Sequence, residues 1–263
     1  LGLTRLQSTV SSGQPAALPP GRFALDALAP GGTAGATHLR RDAADLLALA
    51  AGAEWSRPLR GSARDAAYVS FQIYASASTI VEVGGVRLGF TLSPVGRSLQ
   101  LMYDDATSGA LQWKPLHQHL AIGTYGGRGL ASVPTLTVRL DPATQTWDLY
   151  SGARLVAGAL PLINSRPGGG QFKVRAGVEG AWVSGLAFAD DHPLFEDTNA
   201  NGVDDGAERR LRGSLLPSSL GPVDRQAILR EWREEQRRQP PPALYVNRPD
   251  PDQPAVRAAA PRS

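Results

Sequence analysis

Short alternations of apolar and polar residues dominate the middle of the chain. In 68–74, YVSFQIY, Val69, Phe71 and Ile73 share one face while Tyr68, Ser70, Gln72 and Tyr74 share the other. That is the period-two pattern of a half-buried strand. In 86–92, VRLGFTL, Val86, Leu88, Phe90 and Leu92 point inward, and Gly84-Gly85 just before them reads as a hairpin turn. The period repeats in 99–103 (LQLMY) and in 136–140 (LTVRL), where Leu136, Val138 and Leu140 face the core. After the turn DPATQ, 146–150 (TWDLY) returns with Trp147 and Leu149 inward. Further strands are predicted at 154–160, 171–177 and 181–189. At least eight short strands separated by Gly, Pro, Asn and Asp predict an all-β, antiparallel jelly-roll sandwich rather than a βαβ fold.

The flanks read differently. Residues 1–20 lack a sustained period and end in Pro-Pro, so an extended N-terminal arm is expected. Within the β region only 42–51, DAADLLALAA, reads as a helix. Residues 222–238, PVDRQAILREWREEQRR, are helical by composition, with Pro222 suited to a first turn and Glu234 and Arg238 spaced for an ion pair. Ile228 and Trp232 lie one turn apart and offer a docking stripe. The Pro-rich end is expected to be extended and mobile when free.

The 263 residues suit one large β domain with tails. Lys+Arg 27 against Asp+Glu 24 leaves a net charge of +3, too small an excess to point to nucleic acid. Lys114 and Lys173 are the only lysines, and the abundance of Arg, Ala, Gly and Pro reflects GC-rich codon use. The absence of cysteine removes disulfides, thiolate metal sites and cysteine nucleophiles together. No apolar run approaches the ~18 residues that a membrane span needs. The chain begins at Leu1 without Met, which reads as a processing boundary; a secretory signal, had one preceded it, is already removed.

One stretch carries explicit chemistry: 197–208, DTNANGVDDGAE. Asp197, Asn199, Asn201, Asp205 and Glu208 stand first, third, fifth, ninth and twelfth in a twelve-residue loop, with Gly202 sixth, where such a loop bends sharply. The side chains of Asp197, Asn199 and Asn201, the carbonyl of Val203, the carboxylate of Asp205 and both oxygens of Glu208 form a Ca²⁺ ligand set. Three acids against a divalent cation leave the site only mildly negative, which predicts a weak affinity of about 10⁻⁴ M or somewhat tighter. DDHPLF precedes the loop in place of a helix, so the expectation is a lone structural clip and not a paired sensor.

The run from about 68 to 197 resembles the laminin-G-like, concanavalin A-like jelly-roll superfamily. The pieces that carry the likeness are LTVRLDPATQTWDLYSGARLVAGALPL at 136–162 and EGAWVSGLAFADD at 179–191. The following LFEDTNANGVDDGAE is similar to the single thrombospondin type 3 and dockerin calcium loops that trail such domains in bacterial surface proteins. The resemblance implies an exported protein and names no substrate.

Other candidates are thinner. His117 and His119 share a strand face, with His38 and His192 distant in sequence. Hydrolases of the concanavalin A-like class carry a Glu-x-Asp-x-x-Glu cluster on one strand; here Glu82 stands alone in IVEVGG, and Asp104-Asp105 reads as a turn. A Gly-x-Ser-x-Gly elbow is also missing. For sugar stacking, Tyr74, Trp113 and Tyr125 are candidate platforms, and Gln72, Glu82 and Arg87 face outward.

The expected organisation is an arm at 1–20, a sandwich at 21–192, a calcium loop at 193–212, and a helix with a Pro-rich arm at 213–263. The expected role is a non-catalytic, Ca²⁺-stabilised module of the cell surface or periplasm, bound to protein neighbours through its arms. A carbohydrate-binding module and a divergent glycan hydrolase or lyase are the rivals. The assembly reading predicts that 1–20 and 215–263 are ordered only against other chains.

Overall fold

The computed structural model describes residues 4–5, 21–22, 36–41, 44–59, 67–92, 99–105, 112–116, 135–162, 170–189, 192–218 and 220–238. Its strands form two sheets, and every described pairing is antiparallel. The larger sheet runs in the order β1 (Thr4–Arg5), β3 (Ala36–Arg41), β4 (Ala44–Leu49), β15 (Ala181–Ala189), β6 (Ala67–Ala75), β11 (Leu136–Asp141), β12 (Thr146–Ser151), β13 (Arg154–Pro161). Strand β2 (Gly21–Arg22) also pairs with β15. The smaller sheet runs β10 (Trp113–Pro115), β9 (Leu99–Asp104), β8 (Val86–Leu92), β7 (Ile80–Val83), β14 (Gln171–Arg175), β5 (Glu54–Pro58). Two helices, α1 (Asp205–Arg212) and α2 (Pro222–Arg238), complete the described elements. The protein is an all-β sandwich.

The alternating faces make the core. Val69, Phe71 and Ile73 of β6 and Leu136 and Val138 of β11 meet Val81, Leu88, Phe172 and Val174 from the other sheet. Phe172 stands edge-on to Phe71 and to Trp55, with ring centroids 5.1 and 6.2 Å away. Such contacts add to the area buried. Gly84 and Gly85, at φ 56° and 96°, turn β7 into β8 in the left-handed region that glycine tolerates.

Residues 44–49 form a strand, which corrects the helix expected at 42–51. Ala and Leu favour helix locally. Here Leu47 and Leu49 alternate into the core, and β4 is paired on both sides, to β3 and to β15. Packing decides against propensity.

A second apolar cluster lies on the far side of the larger sheet. Tyr68, Tyr150 and Leu155 of that sheet meet Val203, Ala207, Ile228, Leu229 and Trp232 from the C-terminal segment. Ile228 and Trp232 therefore dock on their own sandwich. This corrects the expectation that 215–263 is ordered only against other chains, for the portion in α2. Gly158 makes room for it, since a Cβ there would lie 3.0 Å from Leu229 Cδ1. At its far end α2 reaches the edge strand: Gln236 Oε1 accepts from Leu155 N (2.9 Å) and its Nε2 donates to Ala153 O (3.2 Å). Glu234 pairs with Arg237, three residues on, rather than with Arg238. Arm residues Thr4 and Arg5 pair with Arg40 and Leu39 of β3.

Candidate metal centre

The loop 197–208 follows β15 and runs into the first turn of α1, pressed against the outer face of the larger sheet. Asp197 starts it. Its Oδ1 accepts from Asn201 N (3.0 Å), and its Oδ2 accepts from Gly202 N (2.9 Å) and from the Tyr68 hydroxyl. Burial pushes the Asp197 carboxyl up from its ordinary value, against the downward pull of the Tyr68 hydrogen bond. Burial, reinforced by the neighbouring Asp197 carboxylate, likewise holds the Tyr68 hydroxyl well above the phenol range.

The other end is Glu208, on the first turn of α1, where Asp204 caps the helix by accepting from Gly206 N and Ala207 N. Glu208 is 0% exposed. Its Oε2 accepts from Asn199 Nδ2 and Leu216 N, both at 2.9 Å, and its Oε1 accepts from Asn201 Nδ2. All of these donors are neutral. Among the described residues no cationic side chain pairs with it. A carboxylate taken out of water with only neutral donors lacks a counter-charge.

Of the predicted ligands, the fold thus gathers Asn199, Asn201 and Glu208 directly. Asp197 joins them through the backbone of Asn201, and Val203 is buried in the second apolar cluster. Asp205 is turned aside: its oxygens accept from Thr198 N (3.0 Å) and Thr198 Oγ1 (2.6 Å). No group of three or more His, Cys, Asp or Glu side chains that could hold a metal occurs among the described residues. The loop's donor set is three carboxylates, two amides and a carbonyl, all hard oxygen donors of the kind Ca²⁺ takes, and it contains neither His nor Cys. As they stand, Asn199 and Asn201 aim Nδ2 at Glu208, while their oxygens accept from Asn201 N (3.3 Å) and Val203 N (2.9 Å). By donor chemistry the residues suit a hard cation; to offer it amide oxygen, both side chains would have to turn and give up those bonds.

Beneath the loop is a feature the alternating pattern hid. Arg139 of β11 and Asp148 of β12 stand opposite each other in register, on the face away from Leu136, Val138 and Leu140. They are 1% and 0% exposed. Arg139 pairs with Asp148 (3.3 Å) and Asp141 (3.1 Å), and Arg225 of α2 pairs with the same Asp148. The sequence did hold the signal: an Arg and an Asp placed symmetrically about the DPATQ turn must meet across the hairpin. The cluster then takes up the loop's backbone. Arg139 donates to Ala200 O, Arg225 Nε to Asn201 O (2.9 Å) and Tyr150 Oη to Gly202 O (2.6 Å). Gly202 sits at φ 88°, and a Cβ there would meet Arg225 Nη2 at 2.8 Å and Asp148 Oδ2 at 3.0 Å. Both its backbone and its surroundings require glycine.

His192 closes the cluster from the other side, stacked on Phe195 with centroids 3.7 Å apart and edge-on to Tyr68 and Tyr150. Its Nδ1 accepts from Leu194 N (3.1 Å), and burial lowers its pKa to about 3.

The sugar-stacking candidates do not converge. Tyr74 is buried, 4% exposed, and packs edge-on to Trp182 on the larger sheet, which corrects its reading as an exposed platform. Trp113 is half-buried on the outer face of the smaller sheet, where its indole covers Gly89. Beside it Arg87 ion-pairs with both Glu82 and Asp104, each at 3.6 Å, while Glu82 is the single acid of β7. Asp104 ends strand β9, and Asp105 pairs with Lys114, which corrects the turn expected there. Tyr125, His117 and His119 lie outside the described residues, as does the side chain of His38.

No protein-family model matches the sequence, and no curated protein matches it. Among solved structures the chain is similar to a sialidase, at 9% identity and a TM-score of 0.41 over 74% of this chain. It spans 20% of that protein's length. No helix among the described residues is long and apolar enough to cross a membrane.

Proposed function

We propose that this chain is a non-catalytic β-sandwich module that binds Ca²⁺ in the loop 197–208 and serves as a structural or adhesive part of an extracellular or periplasmic assembly. The observation that carries this reading is Glu208: a fully buried carboxylate, reached by two loop amides and one backbone N–H, with no cationic partner among the described residues. Asp197, Asn199, Asn201, the Val203 carbonyl and Glu208 would hold the ion, with Asp205 entering through water or by leaving Thr198. Bound Ca²⁺ supplies counter-charge and a cross-link, no bond chemistry. It stabilises the folded state by RT ln(1 + [Ca²⁺]/Kd), about 1.4 kcal/mol when millimolar Ca²⁺ stands tenfold above a Kd of about 10⁻⁴ M. With a weak site even that excess exists only in a calcium-rich exterior, hence the assignment of location. The test is a melting curve with and without millimolar Ca²⁺ on the parent and on Asp197→Ala with Glu208→Ala. Calcium should raise the parent's midpoint and leave the variant's in place. A parent that does not respond removes both the metal and the case for an exterior location.

A second reading, glycan binding, is favoured by Trp113 beside the Arg87–Glu82–Asp104 cluster on the open face of the smaller sheet. An aromatic next to charged hydrogen-bonding groups suits a sugar ring. Hydrolysis there is disfavoured sterically. A glycosidic oxygen must sit between the two carboxyls, and the Arg87 guanidinium occupies that space.

A further inference from the structure

We propose that metal occupancy of the loop 197–208 and docking of α2 on the sandwich are one coupled equilibrium, joined by Arg225 as a positioning residue. The proposal rests on the metal reading above and goes beyond it, since it links the ion to a helix that supplies none of the predicted ligands.

Three consecutive loop carbonyls are already engaged. Ala200 O is held by Arg139, Asn201 O by Arg225 Nε at 2.9 Å and Gly202 O by Tyr150 Oη at 2.6 Å. Two of these donors belong to the sandwich, while Arg225 belongs to α2. Arg225 is 2% exposed and spends its remaining nitrogens on Asp148 and, at 3.3 Å, on Thr146 Oγ1. It cannot release the loop without also breaking a buried ion pair. The backbone of the loop is therefore fixed on the sheet side, while the side chains of Asn199 and Asn201 reach the other way to Glu208. A ligand shell is only as well placed as the groups that orient it.

A second tie runs through the connection between the helices. Leu216 N donates to Glu208 Oε2 (2.9 Å) and Leu216 O accepts from Asn199 Nδ2 (2.8 Å). Two predicted ligands thus hold the start of the segment that leads into α2. At the far side, Arg210 and Arg212 of α1 pair with Glu235 and Glu231 of α2 at 2.9 and 2.6 Å. These outer pairs are exposed and worth little singly, so Arg225 and Leu216 carry the link.

Coupling is reciprocal: whatever factor α2 docking gives to metal affinity, the metal returns to docking. The experiment uses the full chain and Tb³⁺ as the probe, with luminescence sensitised by Tyr68 and Tyr150. Hydrogen exchange is followed at 222–238 and at Ala153–Leu155. In the parent, saturating Tb³⁺ should slow exchange across α2 and the β13 edge. Arg225→Gln should weaken Tb³⁺ binding roughly tenfold, the usual cost of losing an outer-shell partner. Arg225→Lys should recover part of that loss. The exchange measurement on the parent needs no variant, so a poorly folded Arg225→Gln does not stall the test. If the parent binds Tb³⁺ while α2 exchange is unchanged and Arg225→Gln binds equally well, the coupling is wrong and the metal reading stands. If the parent binds no Tb³⁺, the metal reading falls and takes the coupling with it.

Discussion

Asp148 is the residue whose loss should be felt most. It is 0% exposed and accepts from Arg139 Nη1 (3.3 Å), from Arg225 Nη2 and from Ala159 N (2.7 Å). Asp148→Ala leaves two guanidinium groups out of water, with Asp141 still holding Arg139 at 3.1 Å. Breaking a buried pair by removing one partner costs about 3–5 kcal/mol, and the orphaned Ala159 N–H adds about 1 kcal/mol or more. Ala159 compounds the effect: its φ of 52° is a left-handed backbone that Asp148 helps to hold. The expected loss is about 5 kcal/mol, or roughly 10–20 °C in midpoint for a domain of this size. Circular dichroism melts and urea titrations would measure it. Arg237→Ala is the control, because its partner Glu234 and the arginine itself are both about half exposed (49% and 48%). That change should cost under about 0.5 kcal/mol. Adding Arg225→Met to Asp148→Ala should recover part of the loss by removing one stranded charge. If Asp148→Ala is no worse than Arg237→Ala, the arginines reach solvent easily and the account of a buried network fails.

Two other perturbations probe the same interface. His192 is buried with its pKa lowered to about 3, against the ordinary 6.5 of the unfolded chain. Below pH 6.5 the unfolded state takes a proton that the folded state refuses, so stability should fall as pH drops from about 6.5 toward 3, by up to about 1.4 kcal/mol per pH unit. Urea midpoints for the parent and His192→Gln across that range check this; equal slopes would assign the acid sensitivity to other groups. Gly202→Ala and Gly213→Ala form a matched pair, since both glycines have positive φ (88° and 79°) but a Cβ at Gly213 meets nothing within 4 Å. Gly213→Ala should cost only the left-handed penalty, about 1 kcal/mol, and Gly202→Ala at least about 1 kcal/mol more as it displaces Arg225 and Asp148. Equal costs would mean that the loop does not rest on the ion cluster.

How much of this was legible depends on which force sets each feature. Strands at 86–92 and 181–189 match the structure residue for residue; in the first, one buried face imposes an unbroken period of two, while in the second the core-facing set shifts phase between Val183 and Leu186, at the irregularity between Ser184 and Ala187. The α2 helix matches for a similar reason, with its proline and its stripe of Ile228, Leu229 and Trp232. The fold was misread where tertiary pairing overrode composition, as in β4. The outer face of the larger sheet was not legible. The alternation places Thr137, Arg139 and Asp148 only on the side away from the core, and a strand's second face is commonly solvated. Only the return of a distant segment buries them, and nothing local to β11 records that return. The spacing of Asp197 through Glu208 singled out the loop, and the fold does bring Asn199, Asn201 and Glu208 together. The side chains beneath it, Tyr68, Arg139, Tyr150 and Arg225, come from four separate elements and had no common motif to announce them.

The reach of Gln236 to the margin of β13 bears on how copies of this molecule can meet. A primary amide carries one donor group and one acceptor, as a peptide unit does, so Gln236 counterfeits a single residue of a further strand. The open backbone groups of Ala153 and Leu155, which could otherwise recruit a neighbour's chain, are answered by a helix that offers no ladder of its own to extend. While α2 stays seated, sheet-to-sheet growth through this margin is blocked at its first rung. An assembly built from such modules must then be joined by other margins or by side-chain faces, and unseating one helix would turn a terminating edge into a propagating one.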